Sequence, residues 1–306
     1  MKYPAHVNIV EVGARDGLQN EKQEVPASIK IDLVNRLSEA GFRNVESGSF
    51  VSPKWVPQMA TSMEVMAGIT RKPGVIYSVL TPNMKGFEGA LAAKADEVVI
   101  FGAASEAFSQ KNINCSIAES IERFRPVAEA AKAHRMRVRA AVSCALGCPY
   151  QGEVSIESVV DCVKRFADLG CDDIGIADTI GVGTPARASG VFEAAAKVFP
   201  LNQISGHFHD TYGQACANVL ACLELGVSTF DTSVAGLGGC PYAKGATGNV
   251  ATEDVLYMLH GMGITTGIDL DKVCEAGQFI SQALGRAPHS RVNRALAAKL
   301  ASSRAA

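Results

Sequence analysis

The chain of 306 residues is 47% hydrophobic and 20% charged, which provides enough apolar content for a large core and excludes a disordered protein. Its 29 Lys and Arg residues nearly balance 31 Asp and Glu, and a net charge of −2 gives no electrostatic footprint for nucleic acid or an anionic membrane. No apolar run approaches the roughly 18 residues that a membrane span needs. We therefore expect a globular protein that binds neither nucleic acid nor membranes.

Short β-branched segments alternate with longer amphipathic segments along almost the whole chain. Eight strands are predicted, at residues 7–12, 44–47, 74–80, 97–101, 137–143, 172–177, 203–208 and 228–234. Helices are predicted to follow them, for example at residues 28–40, 117–134, 156–169, 185–199 and 214–225. Three of these helices run into Gly41, Gly170 and Gly226, which is typical of a left-handed residue at a helix end.

Eight consecutive β-then-α units predict a (β/α)₈ TIM barrel. A doubly wound open sheet is the main alternative, because periodicity alone does not separate the two. No linker or shift in composition divides the chain. We expect one catalytic domain over residues 1–306, in which extra helices from about residue 269 to residue 306 pack on the barrel.

Reactive side chains gather where the predicted strands end, which is where the active site of such a barrel lies. They are Arg15, Asp16 and Gln19 after the first strand, Glu46 on the second, Asp178 after the sixth, His207 and His209 on the seventh, and Cys240 and Asn249 after the eighth.

The His207-x-His209 pair is the sharpest local signal for a metal. Side chains alternate along a strand, so both imidazoles face the same way, and a divalent ion would join them. The alternative is a pair of core histidines that bond backbone carbonyls, but Asp16 and Asn249 at neighbouring ends favour the metal. Imidazole, carboxylate and amide donors without a thiolate indicate Mg²⁺ or Mn²⁺ rather than structural zinc.

Cys240 lies in a glycine-rich loop after the eighth strand. A thiol on such a loop can exchange a proton near neutral pH once its pKa is tuned. The alternative is that Cys240 is a small buried apolar side chain, which is the usual role of a free cysteine.

The nine cysteines are scattered, and no signal or targeting segment is evident at Met1–His6, so we expect a cytoplasmic protein.

Together these motifs resemble the 3-hydroxy-3-methylglutaryl-CoA lyase family of metal-dependent aldolase-like barrels. The similarity runs through nearly the whole chain and includes residues 12–21, 49–59, 111–116, 178–185 and 209–214 and the Cys240 loop. It implies cleavage of 3-hydroxy-3-methylglutaryl-CoA to acetyl-CoA and acetoacetate, as in leucine degradation or ketone-body formation. It also implies an acyl-CoA substrate. Separately, we expect a homo-oligomer, with a dimer as the first candidate.

The resemblance further implies roles for individual residues. Mg²⁺ or Mn²⁺ would be bound by Asp16, His207, His209 and Asn249; the catalytic set would be Arg15, Glu46, Asp178, His207 and Cys240; and Arg15, Gln19, Ser49 and Asn112 would contact the substrate or CoA.

The expected chemistry gives some of these residues a task. Arg15 would hold the enolate oxygen, Cys240 would protonate the enolate carbon, and the base for the substrate hydroxyl would be Asp178 or His207. Ala141 stands where some members have an aromatic residue, and Gly285 where an asparagine is expected near CoA, so the size of the acyl substituent stays open. The rival functions are a Claisen synthase of the same superfamily, an aldolase acting on a 4-hydroxy-2-oxo acid, and a non-catalytic metal- or metabolite-binding barrel.

Overall fold

The computed structural model describes residues 3–239 and 248–305. Eight parallel strands pair in chain order, and the last pairs with the first, so the sheet closes into a barrel. The strands are β1 Asn8–Glu11, β2 Asn44–Ser49, β3 Ile76–Leu80, β4 Glu97–Ala103, β5 Arg137–Ser143, β6 Asp173–Asp178, β7 Ile204–Phe208 and β8 Thr229–Thr232. Closure confirms the predicted TIM barrel and excludes the doubly wound sheet, and each strand ends within two residues of its predicted bounds.

Helices surround the barrel and continue beyond it. In the described part of the chain they are α1 Ala27–Ala40, α2 Ser62–Gly68, α3 Met84–Ala92, α4 Glu106–Ile113, α5 Ile117–Ala133, α6 Ile156–Asp168, α7 Pro185–Ala195, α8 Ala215–Leu225, α9 Thr252–Gly261, α10 Leu270–Ala283 and α11 Arg291–Ala305. The last two are the predicted extra helices. No helix in residues 3–239 or 248–305 is both long enough and apolar enough to cross a membrane.

Two predicted helix ends illustrate local control of the fold. Gly41 follows α1 at φ 106°, and a Cβ there would lie 2.4 Å from the carbonyl oxygen of Gly267, so only glycine fits. Helix α7 ends at Ala195, four residues before the predicted end. The chain tightens there into turns in which Val198 N donates to Ala195 O, because Pro200 disfavours a helical residue before it.

Beyond β1, a five-residue π-helical turn, Gly13–Gly17, presents the first active-site candidates. Glu11 supports this turn, since its Oε1 accepts hydrogen bonds from Gly13 N at 2.8 Å and Val234 N at 2.9 Å. Burial raises the pKa of Glu11 to about 8. This fully buried carboxyl therefore connects the turn after β1 to the segment after β8.

A second buried carboxyl extends this support to the C-terminal helices. Both oxygens of Glu253 accept from Ala235 N at 3.0 Å, and Asn293 on α11 donates to its Oε1 at 2.9 Å. Burial raises the pKa of Glu253 to about 7. The added helices thus stabilise the loops that carry the candidate site.

Candidate active site

A cavity of about 1170 Å³ opens where the strands end. Its wall includes inward-facing side chains from seven strands, β2 to β8, and residues that follow β1. Of the predicted residues, those that line it are Arg15, Asp16, Gln19, Glu46, Asn112, His207 and His209. This is the barrel end at which the sequence predicted the chemistry.

Three of these residues form a candidate metal-site cluster, which consists of Asp16, His207 and His209. Asp16 Oδ2 lies 3.9 Å from His207 Nε2 and 4.0 Å from His209 Nε2, and one ligand atom from each residue falls within 4.8 Å of the others. Asn249 adjoins the cluster, with its Nδ2 2.8 Å from Asp16 Oδ2. The Oδ1 of Asn249 is buried and has no hydrogen-bond partner among the described residues, so this amide fits a site that binds a cation.

The cluster residues differ in their ionisation. Burial would raise the pKa of Asp16, but the Arg15 guanidinium and the two imidazoles outweigh it and lower that pKa below its usual range. Burial and the neighbouring His207 lower the pKa of His209 to about 4. An ionised carboxylate and a neutral imidazole are the forms that ligate a metal.

Arg15 joins the cluster to a second carboxylate. Its Nη1 donates to Asp16 Oδ1 and its Nη2 to Glu46 Oε2, both at 2.7 Å. Burial raises the pKa of Glu46, an effect that Arg15 opposes without cancelling. The other oxygen of Glu46, Oε1, is buried and without a partner in residues 3–239 and 248–305.

Two further predicted residues, Asp178 and Ser49, lie outside the cavity lining. Asp178 is fully buried, and its carboxylate accepts from Val182 N at 3.1 Å and Gly183 N at 2.8 Å. Burial raises its pKa to about 6. Ser49 is also buried, and its hydroxyl accepts from Val51 N at 3.3 Å. Neither is among the described residues that line the cavity, and Cys240 lies outside the described part of the chain.

The cavity residues that sequence reasoning missed include a charged pair, Arg139 on β5 and Asp231 on β8. Asp231 Oδ2 lies 3.0 Å from His207 Nδ1, and Asp231 Oδ1 accepts from Arg139 Nη2 at 2.6 Å. A charged residue inside an otherwise apolar strand was the available signal, because such a residue stays buried only when it is paired.

Comparisons with known proteins agree on one family. The HMGL-like family model matches residues 6–280. A Pseudomonas aeruginosa protein described as 3-hydroxy-3-isohexenylglutaryl-CoA/hydroxymethylglutaryl-CoA lyase is 56% identical over 299 residues, or 98% of this chain and 100% of that protein.

Solved structures give the same result. A crystal structure of hydroxymethylglutaryl-CoA lyase from Pseudomonas aeruginosa has a TM-score of 0.96 at 56% identity, covering 98% of this chain and 100% of that one. A structure of an Acinetobacter baumannii HMG-CoA lyase in complex with coenzyme A and 3-methylmalate has a TM-score of 0.92 at 37% identity, covering 96% of each chain.

The fold and the cluster define a (β/α)₈ barrel enzyme with a candidate divalent-metal site. The chain belongs to the HMGL-like family.

The variant Asp16→Asn tests the candidate metal site. It replaces the ionised oxygen that faces both imidazoles by a neutral amide, so Mn²⁺ binding should weaken by at least ~10-fold, measured from the electron paramagnetic resonance of unbound Mn²⁺. Asp210→Asn is the matched control, because Asp210 follows His209 but accepts from Ala215 N at 3.0 Å, away from the cluster. Equal affinities in wild type and Asp16→Asn would contradict the assignment.

Proposed function

We propose that this protein is a divalent-metal-dependent lyase that cleaves 3-hydroxy-3-methylglutaryl-CoA to acetyl-CoA and acetoacetate. The observation that carries the proposal is the meeting of the metal-site cluster and the Arg15–Glu46 pair in one cavity. The reaction needs both, because a hydroxyl must lose a proton and an enolate must be stabilised. The similarity to lyases over nearly the full chain supports the same reaction.

Asp16, His207, His209 and Asn249 would hold the ion, and their hard and borderline donors suit Mg²⁺ or Mn²⁺. When bound, such an ion lowers the pKa of an oxygen it polarises, here the substrate's C3 hydroxyl. Gln19 and Asn112 line the cavity and would contact the substrate or CoA. Gln19 Oε1 is buried and has no partner in the described part of the chain.

The hydroxyl proton needs an acceptor, and we assign it to Glu46 rather than to Asp178 or His207. The Asp178 carboxylate is committed to two backbone amides outside the cavity lining. His207 has one lone pair to offer at Nε2, and a lone pair that ligates a metal cannot also take a proton. Glu46 Oε1 is unpartnered among the described residues, and burial raises the pKa of this carboxyl toward neutrality, which improves a base.

Cleavage of the C2–C3 bond leaves the bonding electrons on the thioester as an enolate, and C3 becomes the ketone carbon of acetoacetate. Arg15 lines the cavity and is permanently cationic, so it suits the enolate oxygen. Arg15 pairs with two carboxylates, Asp16 and Glu46. Protonation of Glu46 neutralises one of them and so removes half of the negative charge beside Arg15. Arg15 would therefore gain attraction for the enolate as that charge develops.

Cys240 is our candidate for the proton donor to C2 of the enolate. It directly follows Gly239, which lines the cavity and whose carbonyl accepts from Asn20 Nδ2 at 3.0 Å. The thiolate would be reprotonated from Glu46, which returns both groups to their starting states.

The experiment for the function itself measures acetoacetate and acetyl-CoA released from the thioester, with and without a chelator. A Claisen synthase or a non-catalytic barrel would release neither.

Finer features are also proposals. Lys111 and Arg123 lie beside Asn112 on the cavity wall and give it positive charge for the CoA phosphates. We expect a cytoplasmic homodimer that acts in leucine degradation or ketone-body formation, and light scattering of the purified protein measures its oligomeric state.

A second substrate is favoured by the inner wall of the cavity. Register pairs Ala141 on β5 with Gly175 on β6, and both line the cavity together with Ala177 and the apolar Phe101. Small side chains on neighbouring strands leave space for a substituent larger than methyl. We propose that the chain also cleaves 3-hydroxy-3-isohexenylglutaryl-CoA, the other substrate in the name of the Pseudomonas aeruginosa relative.

The variant Glu46→Gln tests the assigned base. Loss of a positioned base should lower kcat by ~10²–10⁴ while Mn²⁺ binding persists. A base works only when deprotonated, so wild-type activity should fall as pH drops through the raised pKa of Glu46, and the variant should lack this limb. Glu97→Gln, another buried carboxyl that bonds Asn44 and Arg137, is the control and should keep activity. An unchanged acid limb in Glu46→Gln would refute the role.

Replacement of Cys240 by serine tests the proposed proton donor. Serine is nearly isosteric but a far weaker acid, so kcat should fall by ~10²–10⁴ while the variant folds and binds Mn²⁺. Cys216→Ser, at a cysteine on α8, controls for thiol loss. Turnover near that of wild type would count against Cys240.

The variant Ala141→Leu tests the acyl space. Filling the wall should reduce kcat/KM for the isohexenyl thioester by at least ~10-fold relative to the methyl thioester, since a few methylenes discriminate by that order. Ala141→Ser adds a single atom and should preserve the ratio. The second substrate is wrong if the wild type does not cleave it, or if Ala141→Leu slows both substrates equally.

A further inference from the structure

A row of charged side chains crosses the barrel interior below the metal-site cluster. Arg139 donates through Nε to Asp173 Oδ1 at 2.8 Å and through Nη2 to Asp231 Oδ1 at 2.6 Å. Ser205 completes the row, with its hydroxyl 2.7 Å from Arg139 Nη2 and 2.6 Å from Asp173 Oδ1. Only 6% of the Arg139 side chain is exposed, so its charge is balanced by these carboxylates rather than by water.

The row ends on His207. Strand register pairs His207 with Asp231, and Asp231 Oδ2 lies 3.0 Å from His207 Nδ1. An ionised carboxylate only accepts hydrogen bonds, so the proton of a neutral His207 must reside on Nδ1. The lone pair is then on Nε2, the nitrogen that faces Asp16 Oδ2 at 3.9 Å.

The second imidazole of the cluster has no such arrangement. His209 Nδ1 is buried without a hydrogen-bond partner among the described residues, although its Nε2 faces the same Asp16 oxygen at 4.0 Å. Among the described residues, a carboxylate therefore contacts Nδ1 of His207 but not Nδ1 of His209. If Asp231 served only to neutralise Arg139, its second oxygen, Oδ2, would not need to contact an imidazole.

We propose that Asp231 is a positioning residue that holds His207 in the tautomer with its proton on Nδ1, and that Arg139 holds Asp231 in place. The inference rests on the proposed metal-dependent function, because ligation through Nε2 is what requires this tautomer. A carboxylate behind a ligating histidine orients the ring and increases its basicity, and its loss typically costs 10–100-fold in metal affinity.

The test measures the tautomer directly in the metal-free protein. Histidine labelled with ¹⁵N, assigned with the variant His207→Gln and observed at an alkaline pH where the ring is neutral, should show His207 protonated at Nδ1 and unprotonated at Nε2 in the wild type. In Asp231→Asn the amide can still accept from Arg139, but its NH₂ now donates to Nδ1. The proton should move to Nε2, and Mn²⁺ affinity should fall ~10–100-fold.

Two variants separate positioning from support of the barrel. Asp173→Asn weakens the other partner of Arg139 and should leave the His207 tautomer unchanged. Asp172→Asn makes the same chemical change at an exposed carboxylate that bonds Val138 N, and it should alter neither the tautomer nor Mn²⁺ affinity. If Asp231→Asn does not fold, Asp231→Glu keeps an acceptor and should retain the tautomer.

Three results would overturn the inference. They are a wild-type His207 protonated at Nε2, an Asp231→Asn variant with unchanged Mn²⁺ affinity, and an Asp173→Asn variant that switches the tautomer as Asp231→Asn does. None of these measurements uses turnover. A wild type with the expected tautomer but no lyase activity would refute the proposed function alone.

Discussion

Asp16 is a partly buried carboxylate that lies between the Arg15 guanidinium and two imidazoles, and much of the structure keeps it there. Burial of an ionised carboxylate is unfavourable unless several partners compensate for lost water. The partners come from distant parts of the chain, and the π-helical turn that presents Asp16 is supported by Glu11. Strand order places β7 beside β8, and closure of the barrel places β8 beside β1, which brings the partners together.

The charges in and around the cavity favour a divalent cation, as the types of candidate ligand atoms do. Two guanidinium groups, Arg15 and Arg139, meet the carboxylates of Asp16, Glu46, Asp173 and Asp231 within hydrogen-bond distance. With neutral imidazoles and ionised carboxylates, this set carries an excess of two negative charges, which a divalent cation would neutralise. Burial is the main reason that the pKa of Glu46 is raised although Arg15 lies beside it, and the nearby Asp16 carboxylate adds to the rise. The proposed proton acceptor and the candidate metal site therefore lie in one network of buried charges.

The sequence predicted the barrel because its alternation of strands and helices is a local property, and it predicted that His207 and His209 share a face because that follows from strand geometry. It did not predict which of the alternating side chains of each strand face the cavity. On β6, Gly175 and Ala177 line the cavity, so Asp178 is turned away and bonds the backbone of the next loop. The roles of Arg139 and Asp231 depend on pairing between strands far apart in the chain, which no local pattern contains.

The most direct test of this account is a crystal structure of the protein grown with Mn²⁺, with data collected at an energy where manganese scatters anomalously. We expect one strong anomalous peak bound by Asp16, His207 Nε2, His209 Nε2 and Asn249 Oδ1, at roughly 2.0–2.3 Å as transition-metal ligands require. A peak bound by other residues, or imidazoles that turn away from Asp16 around an empty cluster, would contradict it.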